Sequence, residues 1–225
     1  MRLVTDTLSS GTAVHVVAPD SHLRLGVVII PDIWGLRPLF VDHAERIANQ
    51  WNARVAVFEP FGNRSMPPID DGIEPRAQVV SELDDLDLIA DAHEAASLLE
   101  TERTCILGFC LGGMYAMKAA GAGRFDRAVS FYGQIRLPDA WKGPGQREPL
   151  SWMAEPGRCP LFSVLGGLDS HTPPDAIAEL SALPDVTIAL YAEADHGFVH
   201  DPSRPSHRAD DAADAWLRVH AFITE

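Results

Sequence analysis

Apolar and polar positions alternate along this chain in two distinct rhythms. Residues 12–18 (TAVHVVA) and 25–31 (LGVVIIP) read as strands, the second a continuous apolar run suited to burial on both faces. Phe40, Ala44, Ile47, Ala48 and Trp51 then recur at helical spacing and predict an amphipathic helix over 38–51. RVAVFEP (54–60) is again a strand, and the Pro-, Gly- and Asp-rich stretch 61–76 reads as irregular loop. Val79, Leu83, Leu86 and Ala90 mark one long helix running to about residue 100. Its other face carries Glu82, Asp84, Asp85, Asp87 and Asp91, expected to be a solvated acidic surface. Strands follow at 104–109, 127–133, 160–166 and 186–192, with helices at 111–121, 174–182 and 206–221. Strand–helix alternation with valine-rich strands predicts an α/β fold, a mostly parallel central sheet with helices on both faces. Residues 134–159, with four prolines, three glycines and two tryptophans, lack periodicity and form a candidate lid loop. No repeat or linker divides the chain, so residues 1–225 are expected to form a single domain.

Composition narrows the function classes. The formal net charge of −14 argues against nucleic-acid or anionic-membrane partners, which need a cationic footprint. No apolar run is long enough to span a bilayer, and the N-terminal residues lack the apolar core of a secretory signal. A cytoplasmic protein, a monomer or small homo-oligomer with a small-molecule partner, is the expectation. The three cysteines, Cys105, Cys110 and Cys159, are too few and odd in number for a disulfide scaffold. One of them is therefore a candidate for chemistry.

That one is Cys110. It sits in Gly108-Phe109-Cys110-Leu111-Gly112-Gly113, between a strand and a small-residue helix. This is G-x-nucleophile-x-G, a sharp strand-to-helix elbow whose flanking positions must be glycine or very small. The helix that follows offers free N–H groups and a positive dipole end, which favour thiolate and oxyanion. The alternative is a glycine-rich turn holding a structural thiol. A cysteine nucleophile needs a base held by an acid. Asp169 directly follows strand 160–166 and His196 directly follows strand 186–192, both where parallel sheets place their sites. Asp195 neighbours His196, but adjacent side chains rarely face each other, so Asp169 is preferred. The second oxyanion donor, beside the N–H of Leu111, is expected in the loop Pro31-Asp32-Ile33-Trp34-Gly35, with Ile33 N–H as candidate. Asp32 would then sit near the thiol and Trp34 would wall the pocket. His196 and His200 lack the helix and glutamate of a zinc-binding H-E-x-x-H, and no metal or other cofactor is expected. Cys105 and Cys159 read as packing thiols.

GFCLGG around Cys110, GGLDSHTP around Asp169, EADHGF around His196 and PDIWGL around Asp32 resemble the dienelactone hydrolases, or carboxymethylenebutenolidases. The resemblance implies an α/β-hydrolase fold, a Cys110–His196–Asp169 triad, and Ile33 and Leu111 as oxyanion donors. It also implies that the acid at position 32, commonly glutamate and here the shorter aspartate, holds the resting thiol. Two substrate-gripping arginines of the family correspond to Arg76 and to the place of His200, with Arg204 nearby. The implied activity is hydrolysis of lactones or activated esters through a thioester. A non-catalytic binding homologue and a thiol peptidase or amidase are the alternatives; cleavage of p-nitrophenyl acetate and of peptide amides separates the three.

Overall fold

The computed structural model describes residues 2–19 and 23–225. The strands β1 (Arg2–Thr7), β2 (Ala13–Ala18), β3 (Leu25–Ile30), β4 (Arg54–Phe58), β5 (Arg103–Phe109), β6 (Arg127–Phe131), β7 (Leu161–Gly166) and β8 (Val186–Tyr191) form one sheet. Their order is β1-β2-β4-β3-β5-β6-β7-β8, antiparallel at β1/β2 and β2/β4 and parallel from β4 to β8. The helices are α1 (Pro38–Trp51), α2 (Ile73–Val80), α3 (Asp85–Ser97), α4 (Leu111–Gly121), α5 (Pro149–Met153), α6 (Pro174–Ser181) and α7 (Ala209–Thr224). None of the described helices is long and apolar enough to cross a membrane.

Strand periodicity sorts the core into two layers. Val27 and Ile29 pack with Phe40, Ala44 and Ile47 of α1 and Ala215 and Val219 of α7. Their neighbours Val28 and Ile30 join the opposite layer, with Ala92 and Ala96 of α3 and Met114 and Met117 of α4. Both faces of β3 are thus covered, as its continuous apolar run requires. From β3 the chain moves first to β4 on one side, and β5 then pairs on the other side of β3. The carboxyl ends of β3 and β5 therefore flank the point where the winding reverses, the crevice that open α/β sheets use for ligands. Cys110 and the Asp32–Arg37 loop leave from those two strand ends.

Three expectations need correction. The helix expected from residue 79 to about 100 is two helices, α2 and α3, broken at 81–84. Asp84 caps α3 by accepting the Leu86 N–H at 2.8 Å. The acidic face is not wholly solvated, since Asp85 is 1% and Asp91 8% exposed. Asp85 pairs with buried Lys118 at 2.7 Å, and Asp91 accepts the Thr12 hydroxyl at 2.6 Å. Loop 134–159 is neither structureless nor detached. It contains α5, and its Trp141, Trp152 and Met153 are buried. Strand β1 escaped the sequence pattern because nearly all of it is exposed, which leaves no apolar alternation to read.

Candidate active site

The elbow after β5 sets the geometry. Cys110 has φ 54° and ψ −114°, a conformation that strains any side chain-bearing residue. Its backbone is held by Cys110 N–H donating to Phe131 O at 3.0 Å and Met114 N–H donating to Cys110 O at 3.0 Å. The turn is tight enough that glycine is required on either side. A Cβ on Gly108 would stand 2.0 Å from Gly112 O, and one on Gly112 would stand 2.1 Å from Ile30 O. Leu111 is the first residue of α4, so its N–H has no acceptor within the helix.

The loops after β7 and β8 supply an acid and a base. Asp169 is 4% exposed; its Oδ2 lies 2.7 Å from His196 Nδ1, and its Oδ1 accepts the His171 N–H at 2.9 Å. The adjacent Asp195 instead accepts the backbone N–H of His196 at 2.7 Å, so it does not compete for the ring. Burial pulls the His196 imidazole down, but its coupling to Cys110 and its hydrogen bond to Asp169 outweigh that and raise the group to about 10. A base in this setting is suited to keep a proton taken from a neighbouring thiol. Cys110 and His196 line the same cavity of about 270 Å³. Its walls are largely apolar, with Ile33, Trp34, Ile73, Ala77 and Trp141 among them, and Arg204 stands at one side. Cys105 and Cys159 lie elsewhere in the interior, and burial pushes both thiols up to about 12.

The loop after β3 is organised around Asp32. One carboxylate oxygen accepts from Trp34 N–H at 2.9 Å and Arg37 Nη1 at 2.8 Å; the other accepts from Arg37 Nη2 at 3.0 Å and His200 Nε2 at 2.9 Å. Four donors fill the four acceptor positions of a carboxylate. Asp32 borders the cavity, yet its hydrogen bonds go to the loop and to His200 rather than to Cys110. Ile33 is 1% exposed, and its N–H finds no acceptor among the described residues.

The two remaining substrate-binding candidates are not where the resemblance implies. His200 is 0% exposed and does not line the cavity. Burial lowers its basicity, and the neutral ring joins the Tyr132 hydroxyl to Asp32. Arg76 is also buried and lies behind the loop, where its Nη1 donates to Ile33 O at 3.2 Å and its guanidinium faces the Trp34 ring at 5.6 Å. It props the Ile33 segment rather than lining the cavity. Trp34 does line it.

Sequence reading overlooked Gln134, Arg37, Glu59 and His171. Gln134 directs Nε2 to Cys110 Sγ at 3.7 Å. Glu59 accepts the N–H groups of Leu36 and Phe61 at 2.8 and 3.1 Å, bracing the same loop. Burial raises its carboxyl above the ordinary range. Glu59, Gln134 and His171 each lie within a few positions of a strand's carboxyl end, and that position was the available signal; Arg37 stands instead just before α1. Among the described residues no cluster of three or more His, Cys, Asp or Glu side chains is arranged to hold a metal ion.

Residues 12–225 match the sequence model of the dienelactone hydrolase family. The chain belongs to the dienelactone hydrolase family. A carboxymethylenebutenolidase from Rhodococcus opacus is 28% identical over 209 residues, covering 88% of this chain and 79% of that one. A solved Klebsiella pneumoniae structure named for the same family superposes with a TM-score of 0.86 at 22% identity, covering 100% of both chains. The dienelactone hydrolase-like promiscuous phosphotriesterase P91, from metagenomic libraries, superposes at 0.72 with 17% identity, covering 99% of this chain and 96% of that one. The expected α/β-hydrolase fold and family are thereby established, and with them an ester- or lactone-cleaving class of enzyme acting on a small molecule.

Proposed function

We propose that this dienelactone hydrolase family member cleaves lactones or activated carboxylic esters through a thioester formed on Cys110. The observation that carries the reading is a cysteine strained at φ 54° at the head of α4, sharing a cavity with His196, whose Nδ1 lies 2.7 Å from Asp169 Oδ2. In this reading His196 takes the thiol proton while Asp169 fixes its tautomer and orientation. The thiolate attacks the carbonyl carbon. Negative charge moves to the carbonyl oxygen, which the N–H groups of Ile33 and Leu111 receive, each contributing on the order of 3 kcal/mol. Collapse expels the enol or alcohol with the proton from His196, and His196 then activates water to release the acid.

Leaving-group chemistry selects the substrate class. A poor leaving group is expelled less readily than the thiolate itself, so enol lactones and aryl esters are favoured over peptides. The cavity selects further: about 270 Å³ of mainly apolar wall suits a compact apolar acyl group. With His200 interior and Arg76 behind the loop, Arg204 is the lysine or arginine that borders this space among the described residues. A panel of lactones and aryl esters, each with and without a carboxylate, tests the reading on wild type and Cys110→Ala. Turnover of the uncharged members by wild type is expected. An inert wild type would favour a binding protein, and peptide-amide cleavage would favour a peptidase.

A further inference from the structure

Gln134 follows the carboxyl end of β6 and is 3% exposed, yet it is held by no strand or helix. Its Nε2 lies 3.7 Å from Cys110 Sγ, and it borders the same cavity. Its Oε1 is buried with no hydrogen-bond partner among the described residues. Cys110 Sγ is thus the amide's only hydrogen-bond partner among the described residues, and a donor aimed at sulfur is matched by an anionic partner rather than a neutral thiol. We propose that Gln134 is a catalytic residue whose side-chain N–H donates to the Cys110 sulfur and stabilises its thiolate form. This rests on the cysteine-nucleophile reading above and assigns a partner to that nucleophile.

The other candidate for holding the sulfur is Asp32, but its acceptor positions are filled by Trp34, Arg37 and His200. It has none left for an S–H. The thiol proton therefore passes to His196: the S–H bond breaks, an N–H bond forms at Nε2, and Nδ1–H stays on Asp169. The resulting thiolate then lies between two donors, the imidazolium and the Gln134 amide. The titratable and charged groups around it are Asp32 after β3, Glu74 of α2, Tyr132 after β6, His171 after β7, and His196 and Arg204 after β8. Substitution of Gln134 leaves all six in place, so a change in sulfur reactivity reports the amide.

The test is iodoacetamide alkylation followed across pH by intact mass. Burial holds the other two thiols up at about 12, so modification below pH ~9 reports Cys110. Gln134→Leu is expected to move the alkylation profile upward by about one pH unit and slow the reaction near neutrality about tenfold. Gln134→Glu, almost the same shape, sets a carboxylate against the sulfur and is expected to move it at least as far. It serves alone if the leucine variant does not fold. Profiles of the folded variants that superimpose on wild type would overturn the proposal. Ester hydrolysis retained by Cys110→Ala is a separate readout, and it would overturn the nucleophile reading itself.

Discussion

Individual side chains here are decided by their count of partners. Asp32, with two oxygens and four donors, is a structural hub, and His200 is drawn into the interior to supply one of those donors. His43 continues the chain from α1. Its Nε2–H donates to His200 O at 2.7 Å, and its Nδ1 faces Arg46 at 2.9 Å. Burial, helped by Arg46, lowers the imidazole from 6.5 to about 3. Above pH 6.5 the ring is neutral in both folded and unfolded chains. Between about 6.5 and 3 only the unfolded chain takes the proton, so folding stability falls as pH falls. His43→Gln should make urea-derived stability less steep across that window, by up to about 1.4 kcal/mol per pH unit. Equal slopes would show that His43 does not titrate between the two states. At this scale Cys110, Asp169 and His196 were legible because residue type and strand-end position coincide. Gln134 occupies an equivalent position, but an amide there carries no chemical signature until its partner is visible, and Arg37 stands away from the strand end, at the start of α1.

Among elements, local patterns marked α1 and α4 to the residue: α1 buries a periodic apolar face, while α4, buried on every side, is announced by the glycine elbow and its run of small residues. The break between α2 and α3 was hidden because its partners are remote in sequence. Gln146, from loop 134–159, donates to Val80 O and Leu83 O at 3.1 and 3.0 Å, satisfying the interrupted helix. The same loop packs Gly143 so closely on Ser81 that a Cβ would come within 1.8 Å of Ser81 O. Asp85 binds the elements together, accepting from Lys118 Nζ at 2.7 Å, Arg147 N–H at 2.8 Å and Trp152 Nε1 at 3.0 Å. These contacts pin residues 143–153 to α3 and α4, while Pro138, Ala140 and Trp141 form a cavity wall. Only that wall is left to act as a cover. Lys118→Met would leave a buried carboxylate without its counter-ion and should lower stability by about 3–5 kcal/mol. Urea unfolding measures this, and kcat should stay near wild type because the pair lies outside the cavity. A loss under about 1 kcal/mol would mean the neutral donors alone sustain Asp85.

For the molecule as a whole, the −14 charge bears on substrate choice. Around the cavity and a neighbouring pocket that shares His196 and Arg204 with it, Glu74, Glu193 and Asp195 outnumber Arg204, while Asp32 is neutralised by Arg37 and Arg208 by Asp211. Local and global fields therefore agree in repelling anions. An uncharged ester should exceed its carboxylate-bearing counterpart in kcat/KM at low salt. Raising ionic strength toward 0.15 M, where screening acts over about 8 Å, should narrow the gap by accelerating the anionic substrate alone. Acceleration lost with salt would instead make Arg204 the dominant charge. The proposed reaction turns on the Cys110 sulfur. Steady-state hydrolysis of p-nitrophenyl acetate by Cys110→Ala, folded as judged by circular dichroism, tests it most directly. The expected result is a fall in kcat/KM of at least ~10³-fold; a variant that keeps the wild-type value would contradict the assignment of Cys110 as the nucleophile.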